Sequence, residues 1–230
     1  MNFDFYIFDL DGTLLDLGNI GVHVDLILVK TLKKLNVHRI PEKKERNNLW
    51  RSGEKFGEIL REWGINDSYL FWKYFDENDF EKRKVLLKNK QISLFKDVKT
   101  ALELIQNHKE NKKLAICTNT ADYIVEFFLN YFKIDQYFHE IFSLGSNVDQ
   151  KFAKPSPDGI LNILKKFDHN PLEKTAIMIG DSIHDIIAAK KAKISSCLIL
   201  RHIEKDYMSY KEWNIQPDYV IEHLDELNNL

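Results

Sequence analysis

A chain of 230 residues, 44% hydrophobic and 30% charged, can bury one ordinary core plus a smaller appended unit, which excludes a disordered chain. Its 33 basic and 35 acidic side chains nearly cancel to a formal charge of -2, and the pairs Lys33-Lys34, Lys43-Lys44 and Lys190-Lys191 stand among acids. Such mixed charge describes solvated faces, so no nucleic-acid partner is expected. No apolar run approaches the roughly 20 residues that span a bilayer. The N-terminus opens on strand-like sequence instead of a charged region and a cleavage site, so a cytoplasmic protein with no membrane partner is expected.

In chain order, Phe5-Tyr6-Ile7-Phe8 is too short for a lone helix and is stopped by Asp-Gly, which predicts a buried parallel strand. Val24, Ile27, Leu28, Thr31, Leu32 and Leu35 then follow helical spacing, as do Phe56, Ile59, Leu60 and Trp63, with Gly64 placed to end the helix. Asp67 or Ser68 is placed to cap a helix through Tyr69, Trp72 and Phe75, and a charged helix is predicted over 80–88. No strand signal interrupts residues 17–85. From Ile92 onward helices and strands alternate, which predicts parallel βαβ units. The strands are Leu114–Cys117, Glu140–Ser143, Ala176–Ile179, Cys197–Leu200 and Tyr219–Ile221. Helices carry Val98, Leu102 and Ile105, then Ile124 to Phe132, and a third opens at Ser156-Pro157-Asp158.

Cys117 and Cys197 fall inside predicted strands, where a thiol behaves as a small hydrophobe, so both are expected buried and reduced. The eight histidines show no metal-ligand spacing, and His184 alone lies inside a motif. Trp50, Arg51 and Lys55 are placed to meet an anion, but a helix surface with one buried indole is the preferred reading. Residues 201–217 are polar and aromatic and carry no readable role.

Three strand ends carry polar clusters: Asp9/Asp11/Thr13, Thr118/Asn119 and Asp181/Ser182/Asp185, with Lys154 between the last two. A parallel sheet gathers such ends at one edge. Taken singly, these are ordinary turn residues and helix caps. Taken together, at least four carboxylates repel one another unless a cation neutralises them, and an all-oxygen ligand set suits Mg²⁺.

In order along the chain, these residues resemble the four motifs of the haloacid dehalogenase-like hydrolases. Asp9-Leu10-Asp11-Gly12-Thr13 resembles motif one, Thr118 motif two, and Lys154 in Ala153-Lys154-Pro155 motif three. Gly180-Asp181-Ser182-Ile183-His184-Asp185 resembles the phosphatase form of motif four. The resemblance implies an α/β fold with a Rossmann-like parallel sheet core, residues 1–16 and 86–230, and an inserted α-helical cap domain, residues 17–85. It implies Asp9 as the nucleophile that forms an aspartyl-phosphate and Asp11 as general acid and base. Thr118, the backbone N–H of Asn119, and Lys154 would hold phosphoryl oxygens. Asp9, the carbonyl of Asp11 and Asp181 would ligate Mg²⁺, with Asp185 acting through water.

The phosphoglycolate phosphatase-like branch is the nearest in pattern, implying a Mg²⁺-dependent phosphatase for a small phosphorylated metabolite, working as a monomer or homodimer. A phosphomutase of the family tends to carry glutamate at the position of Gly180 and no acid at that of Asp185. Dehalogenases do without the acid at the position of Asp11. A catalytically silent phosphate-binding regulatory module would lose Asp9, Asp11, Lys154 or Asp181, and none is lost. Two departures concern the scaffold. Ala192-Lys193-Ile194 lacks the usual glycine, so Lys193 either accepts the helix-ending conformation or the helix ends differently. Residues 93–97 lack a common Pro-Gly.

Overall fold

The computed structural model of the protein describes residues 3–18, 20–51, 55–107, 112–145, 150–170, 175–201 and 210–230. The chain divides into an α/β unit, Met1–Asp16 with Leu94–Gly145 and Phe152–Leu230, and a second unit, Leu17–Ser93 with Ser146–Lys151. No helix among the described residues is long and apolar enough to cross a membrane.

Among the described residues the second unit holds the α-helices α1 (Ile20–Lys34), α2 (Lys43–Arg51), α3 (Phe56–Glu62) and α4 (Ser68–Lys88). They share a core of Leu28, Leu32, Leu49, Leu60, Ile65 and Phe71, against which Trp50, Trp72 and Phe75 pack. Of the three candidate anion contacts, Trp50 therefore serves this core, Lys55 is exposed, and the side chain of Arg51 lies outside the described residues. Helix α2 carries no predicted periodicity. It is tied to α1 by a forked pair in which Arg46 Nε and Nη2 each lie 2.7 Å from an Asp25 oxygen.

The two helices expected over 68–75 and 80–88 are one. Asp67 caps α4 by accepting from Leu70 N at 2.9 Å, and nothing in Asp76-Glu77-Asn78-Asp79 breaks it. Buried Asn78 instead donates to Thr31 Oγ1 of α1 at 3.1 Å, and Arg83 pairs with Asp79 one turn earlier at 2.9 Å. Because α4 runs on to Lys88, the division expected at 85/86 falls inside a helix, and the α/β unit resumes at Leu94.

The α/β unit is built on strands β1 (Phe5–Phe8), β4 (Lys113–Cys117), β5 (Glu140–Phe142), β6 (Ala176–Gly180), β7 (Ser195–Ile199) and β8 (Tyr219–Ile221), in the order β5-β4-β1-β6-β7-β8. Two shorter strands, β2 (Leu15–Asp16) and β3 (Ser93–Leu94), pair separately. Neighbours in the large sheet run parallel. Central β1 is buried along its whole length, as an unbroken apolar run requires, and Phe8 stands beside Ile116 of β4 and Ile179 of β6. Among the described residues the α-helices of this unit are α5 (Val98–Asn107), α6 (Asp122–Phe132), α7 (Asp158–Lys166) and α8 (Ile183–Lys191). Phe5, Ile7, Cys117 and Met178 from the sheet pack with Ile160 and Ile163 of α7 and with Ala188 and Ala189 of α8. Both cysteines are buried and free.

Helix α7 starts one residue later than expected. Pro157 takes the cap position, and the Ser156 hydroxyl bonds the Asp158 carboxylate. Of residues 201–217, Tyr210 and Trp213 pack on Ile186, Leu198 and Leu200, which gives part of that stretch a structural role; residues 202–209 lie outside the described residues.

The missing glycine after Ala192 is resolved in favour of the first alternative. Lys193 adopts φ +60°, with Lys193 N donating to Lys190 O at 3.1 Å and Ile194 N to Ala189 O at 3.1 Å. A side chain in this left-handed region is strained, whereas glycine is not, although glycine also loses more entropy on folding. Lys193→Gly is expected to raise the unfolding free energy by about 0.5–1 kcal/mol, read as a higher urea midpoint at unchanged slope.

Candidate active site

The sheet order sets the ends of β4, β1 and β6 side by side, so Thr118, Asp9 and Asp181 emerge as neighbours. Asp9 N extends the ladder one step by donating to Ile179 O at 2.8 Å. The chain then turns tightly: Leu14 N and Leu15 N both donate to Leu10 O, and Gly12 N to Leu15 O at 2.9 Å.

Two glycines in these turns are dictated by close approach. Gly12 has φ +77°, and a Cβ there would lie 2.3 Å from Asp181 Oδ2. A Cβ on Gly180 would lie 2.2 Å from Asp185 Cγ. A side chain at 180 would therefore meet the Asp185 carboxylate where it now stands, and one of the two would have to move.

A cleft of about 110 Å³ opens at this edge, lined by Asp9, Asp11, Thr118, Asn119 and Lys154 from the predicted set. Ser182 of the third polar cluster, His184 of the same motif and Thr120, to which the sequence assigns no role, complete the lining. Thr120 Oγ1 donates to Asp11 Oδ2 at 2.7 Å and so fixes that carboxylate. Asn119 grips the main chain of Lys154 twice, its Nδ2 donating to Lys154 O at 3.0 Å and its Oδ1 accepting from Lys154 N at 2.8 Å. The Asn119 side chain is thus a brace for Lys154, a role its sequence position does not reveal. Thr13, expected with the first cluster, is buried away from the cleft lining.

Lys154 Nζ is buried between two carboxylates, 2.7 Å from Asp9 Oδ1 and 2.5 Å from Asp185 Oδ1. Asp185 is fully buried at the start of α8, where its Oδ2 accepts from Ser182 N at 3.1 Å and Ser182 Oγ at 2.6 Å. Both of its oxygens therefore already serve protein donors. Burial alone would push the Lys154 ammonium down, but Asp185 and Asp9 outweigh it and hold the group above its usual range. Burial raises Asp9 to about 7, against the pull of Lys154 and with the repulsion of Asp185 adding to it. Asp181 stands at the solvent edge of the cluster, yet its close enclosure by protein atoms and the charges of Asp9 and Asp185 also raise it well above the carboxylate range. Burial lowers the His184 imidazole.

One lysine does not balance these acids. One oxygen from each of Asp9, Asp181 and Asp185 lies within 4.8 Å of the other two. A small, hard, oxygen-only donor set with unbalanced negative charge fits a divalent cation.

The sequence profile described as haloacid dehalogenase-like hydrolase matches residues 6–199. The chain is 27% identical over 236 aligned positions to pyrophosphatase PpaX of Anoxybacillus flavithermus, covering 99% of this chain and 96% of that protein. A predicted phosphoglycolate phosphatase from Haemophilus somnus is 22% identical, with a TM-score of 0.64 over 100% of this chain and 98% of the other. CbbY of Rhodobacter sphaeroides, solved in complex with phosphate, is 20% identical, with a TM-score of 0.69 over 98% and 96%. At these identities the two structures establish the fold. The family profile runs from the second residue of β1 to the last of β7 and takes in the three polar clusters and Lys154, so this chain belongs to the haloacid dehalogenase-like hydrolases.

Proposed function

We propose that the protein is a Mg²⁺-dependent phosphatase that hydrolyses a small phosphorylated metabolite through an aspartyl-phosphate on Asp9. The observation that carries this reading is the convergence of Asp9, Asp11 and Lys154 on one small polar cleft beside an acidic triad. In the first step an Asp9 oxygen bonds to phosphorus as the bond to the leaving oxygen breaks, and Asp11 gives that oxygen its proton. In the second step water attacks phosphorus, its proton passes to Asp11, and Asp9 leaves as a carboxylate with inorganic phosphate. Thr118, the Asn119 N–H and Lys154 hold the phosphoryl oxygens, with the Asn119 side chain keeping Lys154 in place. Asp9, Asp181 and the Asp11 carbonyl are the groups that would hold Mg²⁺, with Asp185 reaching it through water; the ion supplies charge neutralisation at the phosphoryl group.

The cleft has room for a phosphoryl group among polar side chains, which supports a phosphorylated substrate but does not name it. Similarity to a pyrophosphatase over nearly the whole chain makes inorganic pyrophosphate the first alternative to phosphoglycolate. A mutase is disfavoured by Gly180 and Asp185, a silent binding module by the complete acidic set. Every group in the scheme comes from one chain, so it operates alike in a monomer or a homodimer in the cytoplasm.

The test is phosphate release from pyrophosphate, phosphoglycolate and a panel of sugar phosphates, with Mg²⁺ and after its removal by EDTA. Release from at least one compound, falling by about 100-fold or more without the ion, is expected. Release that EDTA leaves unchanged would remove the cation from the scheme. A folded protein that hydrolyses nothing with Mg²⁺ would point to the mutase or the silent module.

A further inference from the structure

Arg201 follows β7, some 190 residues from the turn after β1, and nothing in its sequence context distinguishes it. Its side chain is only 4% exposed, an unusual place for a guanidinium. Nε and Nη2 both donate to one acceptor, the main-chain carbonyl of Thr13, at 3.1 and 2.8 Å. Nη1 lies 2.7 Å from Asp97 Oδ2, which also accepts from Leu224 N at 2.8 Å. The guanidinium carbon stands 4.2 Å from the centre of the Phe95 ring, and Phe95 N in turn donates to Leu14 O at 3.1 Å.

The bonds to Thr13 O and Leu14 O close on the turn that carries Asp11. Thr13 contributes no side-chain anchor there, since its buried hydroxyl has no hydrogen-bond partner among the described residues. Besides the Thr120 bond to the Asp11 carboxylate and the pairing of β2 with β3, the turn is held from outside through its carbonyl row, Thr13 O to Arg201 and Leu14 O to Phe95. Asp97 fixes the guanidinium by taking the donor that Thr13 does not use. Lysine could not replace it, because a single ammonium on a flexible stem does not present two parallel donors to one oxygen and a third to a carboxylate.

We propose that Arg201, anchored by Asp97, is a positioning residue: through the Thr13 carbonyl it locks the Asp11–Leu15 turn and so sets the Asp11 carboxyl where it meets the leaving oxygen. This inference rests on the phosphatase reading, in which Asp11 is the general acid. A group acting through Asp11 has a signature that general damage lacks. p-Nitrophenyl phosphate expels a stable anion and needs little protonation, whereas glycerol phosphate expels an alkoxide and depends on it.

The experiment compares wild type, Arg201→Lys and Asp11→Asn on these two esters, and follows amide exchange at Leu14 and Leu15 in the full chain. Arg201→Lys is expected to lose about 30-fold in kcat on glycerol phosphate and about threefold or less on p-nitrophenyl phosphate, with a smaller change in KM. Asp11→Asn should show the same selectivity, more strongly. Leu14 and Leu15 amides should exchange faster in Arg201→Lys while those of β4 do not. If Arg201→Lys loses equally on both esters, or on neither, while Asp11→Asn is selective, the positioning role is overturned. If wild type hydrolyses neither ester, its specificity excludes them, and if Asp11→Asn is unselective, the acid assignment has failed; in either case unchanged exchange at Leu14 and Leu15 overturns the clamp by itself, and faster exchange sustains it. Should Arg201→Lys fail to fold by circular dichroism, Asp97→Asn, which keeps the arginine and removes its anchor, is put through the same measurements with the same expectations.

Discussion

Replacing Asp9 by asparagine is expected to abolish phosphate release, by about 10⁴-fold or more in kcat, while raising the resistance of the cation-free protein to heat. The two effects have one origin. An amide of the same shape has no charge with which to attack phosphorus, so the proposed aspartyl-phosphate cannot form. The same charge works against folding, because burial and the neighbouring Asp185 lift the Asp9 carboxyl to about 7 despite Lys154. A carboxyl that is easier to protonate in the folded state loses stability as pH rises from the ordinary carboxylate range towards 7, and the whole cost is present above that. Asparagine removes the cost, so the gain in Tm should be largest above pH 7 and vanish near pH 4. Phosphate release together with thermal melts at two pH values in EDTA checks both halves. Retained turnover would take Asp9 out of the nucleophile role; an inactive variant with a lower Tm at pH 8 would mean that the Lys154 contact outweighs the desolvation of Asp9. Function held at the expense of stability is the common condition of reactive groups in a crowded cleft.

How much of this was legible in the sequence depends on the range of the interactions involved. Apolar runs that end in Asp, Thr or Gly report a buried parallel strand locally, so the positions of Asp9, Thr118 and Asp181 could be read from the pattern alone. Their adjacency then follows from sheet topology. The continuity of α4 was hidden because Asp76 to Asp79 looks like a polar break until Thr31, 47 residues from Asn78, supplies the partner that makes a buried asparagine tolerable. The bracing role of Asn119 was hidden for the same reason, since its amide faces a main chain 35 residues away. Thr120 reaches Asp11 across 109 residues and Arg201 reaches Thr13 across 188. Hydrogen bonds from side chains to distant partners carry no period and no motif. Only the fold exposes them.

Lys154 is the position where a single replacement should cost the most. Lys154→Met keeps the length and the apolar stem but removes the one cation that lies between Asp9 Oδ1 and Asp185 Oδ1. Breaking a buried pair on one side costs more than the pair contributes, because a charge is left without compensation, and Asp185 has no solvent exposure with which to recover hydration. The expected loss is about 3–5 kcal/mol in unfolding free energy, together with about 10²–10³-fold in kcat from the missing contact to the phosphoryl group. The stability term and the catalytic term can be separated through Asp185. If the loss of stability comes from its stranded carboxylate, then Lys154→Met combined with Asp185→Asn should recover about half of it, a coupling that a double-mutant cycle reads directly. The same double replacement should recover no activity, since neither side chain then offers a cation to the phosphoryl oxygens. Additive losses in the cycle would show that Lys154 and Asp185 stabilise the fold independently, and that the short contact between them carries no net energy.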